Sequence, residues 1–111
     1  MRVVGADRRE VCERVVLADR PLARMRGLLG RRALPQGEGL LLRPAGSIHT
    51  AFMRFPIDAV FLDAELRVVR IASDLPPWRA AAARGARAVL EVAAGESRRV
   101  GLAVGERLAL D

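Results

Sequence analysis

The sequence predicts a mainly β domain with one short α-helix, built as a small barrel-like or compact sandwich unit. Three observations carry that expectation. Short apolar and β-branched runs recur at six or seven places, separated by Gly- and Pro-containing breaks. A clear helical spacing of apolar residues is confined to one stretch near the start. The chain has 111 residues and is 51% apolar, the size of one domain, and can bury about two-thirds of its unfolded surface without staples. Residues 1–111 are therefore read as a single β-rich domain.

The elements follow in chain order. Residues 1–9 read as a polar tail or a first edge strand. Val11–Leu17 is β-branched with partial alternation and predicts a strand. Asp19 followed by Pro21 is a helix-start signal, and Leu22, Met25, Leu28 and Leu29 continue at helical spacing, so a helix is expected over about 20–29. Gly39–Arg43 is a short buried strand after the Pro35–Glu38 loop. Ser47–Ala51 is extended, with Ile48 and Thr50 on one side and Ser47, His49 and Ala51 on the other. Ile57–Leu62 is apolar on both faces, as in a central strand, and pairs with Leu66–Ser73 as a hairpin. Pro76 and Pro77 end the sheet, because proline cannot donate to a ladder. Arg79–Arg84 reads as a helical turn or a mobile loop, Ala86–Ala93 as a strand with Ala88, Leu90 and Val92 on one face. Glu96 or Ser97 can open a one-turn helix ending at Gly101, and Arg107–Leu110 is a last strand.

Charge and composition narrow the function classes. The net charge is +6, all nineteen basic residues are Arg, and Lys, Asn and Tyr are absent. The Ala, Arg, Gly, Leu and Val excess has the look of a GC-rich bacterial coding bias, which weakens basicity as a functional sign. Arg is spread from Arg2 to Arg107 without a block, so a nucleic-acid-binding domain is a secondary expectation. No apolar run approaches the roughly 20 residues that span a bilayer, and the start lacks an export-signal core. One cysteine, Cys12, excludes an internal disulfide, and a cytoplasmic location is expected. There is no dinucleotide or phosphate-loop fingerprint and no metalloprotease motif, so no cofactor and no metal are expected.

The most informative stretch is Ser47–Asp63, S-I-H-T-A-F-M-R-F-P-I-D-A-V-F-L-D. It holds the only His, the only Thr, all three Phe and one of three Met. With Ala18–Arg31 (A-D-R-P-L-A-R-M-R-G-L-L-G-R), Gly39–Leu42, Ala88–Gly95 (A-V-L-E-V-A-A-G) and Gly101–Leu108, it resembles the family called domain of unknown function 192, over about residues 15–110. The resemblance implies a small β-rich domain with a short helix near its start, and no established activity, cofactor or catalytic residue. It also implies Gly near position 66, where this chain has Leu66. A Leu forced to positive φ there costs roughly 1–2 kcal/mol, unless the turn takes another geometry.

Candidate ligand-binding residues are His49, Thr50, Met53, Arg54, Asp58 and Trp78. His49 is a base or donor near neutral pH, or a structural imidazole bonded to a loop carbonyl. Asp58 sits among apolar neighbours and needs donors if buried. Either it accepts backbone N–H bonds from the Thr50–Phe55 loop and pins it, or it pairs with His49 or Arg54. Arg54 can clamp a carboxylate or phosphate. Phe52, Met53, Phe55 and Trp78 can line an apolar groove; core packing is the leading expectation for Phe52 or Phe55, and Trp78, after two prolines, is the better groove residue. Ser47, His49 and Asp58 hold the atom types of a hydrolase triad without a nucleophile elbow. The leading expectation is a non-catalytic binding module for an anionic small molecule, peptide or protein partner. The alternative is a hydrolytic or metal-assisted enzyme using His49 and Asp58.

Overall fold

Two strands buried on both faces lie side by side in the middle of the protein. The computed structural model describes residues 1–19 and 31–111, and the helix expected over 20–29 lies outside the described residues. In chain order the strands are β1 (Val3–Val4), β2 (Glu10–Cys12), β3 (Arg14–Ala18), β4 (Glu38–Leu42), β5 (Ser47–His49), β6 (Ile57–Leu62), β7 (Val68–Leu75), β8 (Ala80–Ala82), β9 (Ala88–Ala93) and β10 (Ala109–Leu110), with a one-turn helix α1 (Glu96–Arg99) after β9. The main sheet has the order β3-β4-β9-β6-β7 and is antiparallel except for the β3–β4 pair.

Both faces of this sheet are covered, which explains its strand composition. Val60 and Leu62 of β6, Leu90 and Val92 of β9 and Leu41 of β4 pack against Val3, Val11, Cys12 and Leu108 of the small sheet β10-β1-β2 and its flank. The opposite face carries Ile57, Ala59, Phe61, Val89, Leu40 and Leu42. It packs under Ile48, Met53 and Phe55, which belong to the β5–β8 ribbon and the loop after β5. The protein is thus a layered, sandwich-like β fold whose sheets do not close into a barrel, with a radius of gyration of 12.3 Å.

Three expectations change. Val11–Leu17 is not one strand. The chain breaks at Glu13, where the Glu13 and Arg14 N–H groups both donate to the Gly37 carbonyl, so β2 and β3 enter different sheets. Val3–Val4, within the expected tail or edge, is the middle strand of the small sheet. Residues 80–82 are a strand, because β5 offers them a ladder that Ala propensity alone does not announce.

The 57–75 hairpin forms as expected, with Leu66 at φ 64°. Asp63 closes it: its Oδ1 accepts the Glu65 and Arg67 N–H groups, and its carbonyl accepts that of Leu66. The turn therefore keeps a geometry that favours glycine and tolerates the strain in Leu66.

Candidate functional site

Thr50 organises one end of the ribbon. Its backbone N–H donates to the Arg79 carbonyl and its own carbonyl accepts the Trp78 and Met53 N–H groups. Its hydroxyl donates to the Pro76 carbonyl at 2.6 Å and accepts the Arg79 N–H at 2.8 Å. Thr50 is fully buried and acts as a bolt between loop 50–55 and loop 76–79. The Met53-to-Thr50 bond closes a tight turn whose third residue is Phe52, at φ 64°; Trp78 sits at φ 66°. Both positions favour glycine, and each holding a bulky aromatic costs roughly 1–2 kcal/mol.

That strain places two aromatic rings in solvent. Phe52 is 70% exposed and Trp78 60% exposed, and their ring centroids lie 4.6 Å apart at an interplanar angle of 59°. Phe52 was expected in the core. The left-handed turn instead reverses the chain there, so that Met53 points inward and Phe52 outward. The β5–β8 ribbon carries a second exposed feature. Ser47 and His49 stand opposite Ala82 and Ala80 and form a shallow trough of about 410 Å³ with their strands. Arg54 and Arg79 are both exposed, and neither has a carboxylate partner among the described residues. The Arg79 guanidinium donates to the Trp78 carbonyl at 3.2 Å.

Of the six predicted site residues, His49, Arg54 and Trp78 are exposed. Thr50 and Met53 are buried. Asp58 is elsewhere. It points to the other face of the main sheet and is sealed from solvent. There the β6–β7 ladder has a bulge: Ile57 pairs with Leu75 and Ala59 with Ala72, leaving Ser73 and Asp74 opposite Asp58. Asp58 Oδ1 accepts the Asp74 N–H at 2.9 Å, and Oδ2 accepts the Gly95 and Ser97 N–H groups and the Ser97 hydroxyl at 3.1, 3.0 and 2.6 Å. Asp58 thus pins a bulge and the start of α1, not loop 50–55, and it is bonded to neither His49 nor Arg54. Burial is the largest single influence on its carboxyl and pushes it up. The Ser97 hydroxyl and the three backbone N–H groups together outweigh burial and hold it below the usual carboxylate range. The pair required for hydrolysis by His49 and Asp58, and the Ser47–His49–Asp58 triad, are therefore not assembled.

Two residues carry signals that sequence reasoning passed over. Arg79 follows Trp78 in the chain and was not singled out; its guanidinium donates to the Trp78 carbonyl. Glu91 lies in β9 between Leu40 and Ala59 on the neighbouring strands and is 3% exposed. Burial pushes its carboxyl up to about 7. A Glu on the face alternate to Ala88, Leu90 and Val92 suits a half-solvated strand, and only the second covering layer makes it buried. Among the described residues no group of three or more His, Cys, Asp or Glu side chains is placed to hold a metal ion. A larger hollow of about 760 Å³ lies beside the small sheet, lined by residues including Arg2, Arg107 and Asp111 and by none of the predicted site residues.

A family-level match covers nearly the whole chain. The model of domain of unknown function 192, described as "Uncharacterized ACR", matches residues 3–110, and the chain belongs to that family. Two crystal structures are similar. One is a protein of unknown function from Novosphingobium aromaticivorans DSM 12444, 25% identical with a TM-score of 0.82, covering 98% of this chain and 82% of that one. The other is a candidate transcription regulator from Sinorhizobium meliloti 1021, also 25% identical with a TM-score of 0.82, covering 97% of this chain and 89% of that one. No curated protein matches the sequence. Among the described residues, no helix is long and apolar enough to cross a membrane.

Proposed function

We propose that this domain is a non-catalytic binding module that receives an acidic peptide segment of a protein partner on the Phe52–Trp78 surface and the adjoining β5–β8 trough. The observation that carries this reading is the aromatic pair itself. Two large rings are held in solvent on strained backbone, and a fully buried, fully bonded Thr50 fixes that backbone from below. Strain kept in an exposed position without benefit to packing is a mark of use. Exposed Trp, and Arg beside it, are the side chains that dominate binding energy at protein interfaces. Arg54 and Arg79 give the surface its preference for carboxylates, and the alanine floor of β8 leaves room for an extended chain.

Trp78 is the only Trp, so its fluorescence reports directly on this surface. Titration with short Asp- and Glu-rich peptides that also carry apolar residues is expected to shift the emission and saturate. Phe52→Ala or Arg54→Ala should weaken the binding at least about tenfold with the fold intact, equivalent to roughly 1.4 kcal/mol. Undiminished binding by both variants rejects this surface. Equal binding of single-stranded oligonucleotides, with a steep salt dependence, would replace the peptide reading by a nucleic-acid one.

A further inference from the structure

The hollow of about 760 Å³ beside the small sheet is lined by neither Phe52 nor Trp78, and it has the size of a small-molecule site, roughly 300–1,000 Å³. Leu66, Leu108 and Leu110 give it an apolar lining, and all three also pack against the core. Its charged lining sets Arg2, Arg8 and Arg107 against Glu10, Glu65 and Asp111. Arg2 is already engaged, bonded to Asp111 and 3.7 Å from Glu10. Among the described residues, Arg107 donates only through Nε, to the Glu65 carbonyl at 3.1 Å. The Arg8 side chain has no partner among them, whereas Arg9, next in the chain, is held by Asp7, Glu106 and the Val100 and Gly101 carbonyls. Arg8 and Leu66 also sit on strained backbone, at φ 68° and 64°. The Arg8 N–H donates to the Gly5 carbonyl at 3.0 Å and closes the turn between β1 and β2; Leu66 closes the turn before β7. Two turns with strained residues thus meet at one hollow, and strain of this kind gathers at sites of use.

We propose that this hollow is a second binding site, which takes a small monocarboxylate with an apolar body. Its carboxylate goes to Arg8 and Arg107, and its body to Leu66, Leu108 and Leu110. The lining selects that chemistry. A guanidinium offers a carboxylate two parallel N–H donors, and here Arg8 has all its donors available and Arg107 its two terminal nitrogens. Three carboxylates in the lining balance the three guanidiniums, so the hollow has no excess of positive charge for a phosphate or another multiply charged anion. Glu65, whose side chain has no partner among the described residues, adds repulsion against a second negative charge. A cation is served less well, because Arg2 already occupies Asp111 and stands near Glu10, leaving Glu65 alone to receive it. The leucines favour an apolar body, which removes their exposed surface from water.

The test is amide NMR of the intact protein at neutral pH, titrated with octanoate and with phenylbutyrate. Octanol is the control for the apolar body alone, and inorganic phosphate for charge alone. The expected result is a saturable shift of the hollow's amides, Ala6, Leu66 and Leu108 among them, with at least one carboxylate and none at Phe52 or Trp78. Octanol and phosphate should bind at least about tenfold more weakly. Arg8→Ala should weaken carboxylate binding at least about tenfold and leave the fold unchanged, because that side chain has no partner among the described residues to lose. Leu66→Gly should weaken it too while keeping the turn, since glycine suits that backbone. Carboxylates that both leave the hollow's amides unmoved overturn the proposal. So does octanol or phosphate that binds as tightly as the carboxylates, or carboxylate binding that Arg8→Ala and Arg107→Ala both leave intact. If Arg107→Ala fails to fold, Arg8→Ala decides alone.

Discussion

Asp58 and Glu91 are two buried carboxylates on paired neighbouring strands, and they are opposites. Asp58 faces the small sheet and α1, Glu91 faces the β5–β8 layer, and their strands pair so that Asp58 stands beside Val92 and Glu91 beside Ala59. Asp58 accepts three backbone N–H groups and a hydroxyl, while the Glu91 side chain accepts nothing from the described residues. The first is ionised at lower pH than an ordinary aspartate; the second keeps its proton up to about 7. Burial is the same in kind for both, and the donor set decides the outcome. A buried acid with a full set of donors is a structural part of the fold, and one with none is a cost that the fold carries.

The largest expected effect breaks the Asp58 side. Asp58→Ala leaves the Asp74, Gly95 and Ser97 N–H groups without their acceptor, frees the β6–β7 bulge and uncaps α1, whose own N-cap residue, Gly95, has no side chain to offer. A loss of about 4 kcal/mol in urea unfolding is expected. Asp58→Asn keeps one carbonyl oxygen and should lose about 2 kcal/mol. A loss below 1 kcal/mol in both would show that the four bonds are not what holds the bulge.

The next effect comes from Glu91 and has the opposite sign with pH. Its folded midpoint of about 7 lies above the ordinary 4.5, so its stabilising contribution is complete below pH 4.5 and is lost as pH rises through about 7. The gap corresponds to about 3 kcal/mol. Stability should therefore fall between about pH 4.5 and 7, and Glu91→Gln should flatten that fall and exceed wild type above neutrality. Asp58 runs the other way. Its folded midpoint lies below 3.8, so its contribution is present above pH 3.8 and disappears as pH falls through the folded value. An unchanged pH profile in Glu91→Gln would remove the contrast between the two acids.

Thr50 is a further buried polar group and sharpens the comparison, because like Asp58 it is bonded within the fold, yet it lies beneath an exposed surface. Thr50→Val keeps the shape and removes the Pro76 and Arg79 side-chain bonds. About 1.5 kcal/mol of stability should go. The Phe52–Trp78 stack should loosen with it, read as a change in Trp78 emission. An unaltered emission spectrum would mean that the strained loops hold themselves.

How much of this was legible in the sequence follows from the same physics. Alternation and Pro placement sufficed for β6, β7, β9 and the outline of α1, because those signals are local. The division of Ile48 and Thr50 from Ser47 and His49 onto opposite sides was legible for the same reason, and burial shows which side faces inward. The role of Asp58 was half legible: apolar neighbours forecast a buried, pinned carboxylate, but its partners come from Asp74, Gly95 and Ser97, which only the topology brings to it. β8 was missed because three alanines carry no strand preference until β5 pairs with them. Phe52 was misplaced because strict strand alternation fails at a left-handed turn residue, and Glu91 passed unnoticed because a strand with one apolar face says nothing of a second covering layer.

The smallest effect separates the Ser97 hydroxyl from the backbone around Asp58. Ser97→Ala removes the 2.6 Å bond to Oδ2 and leaves the Ser97 and Gly95 N–H donors and the Asp74 donor in place. The hydroxyl is the largest of the favourable influences on the Asp58 carboxyl, so the folded midpoint should move up toward the ordinary value. The acid limb of the stability profile should then begin at higher pH, with a loss near neutrality of about 1.5 kcal/mol, the usual worth of one hydrogen bond to a charged group. The Glu91 limb above pH 4.5 should not change, because Ser97 lies on the other face of the sheet. If both limbs shift together, the two carboxylates are coupled through the sheet, and the independence of the two faces is wrong.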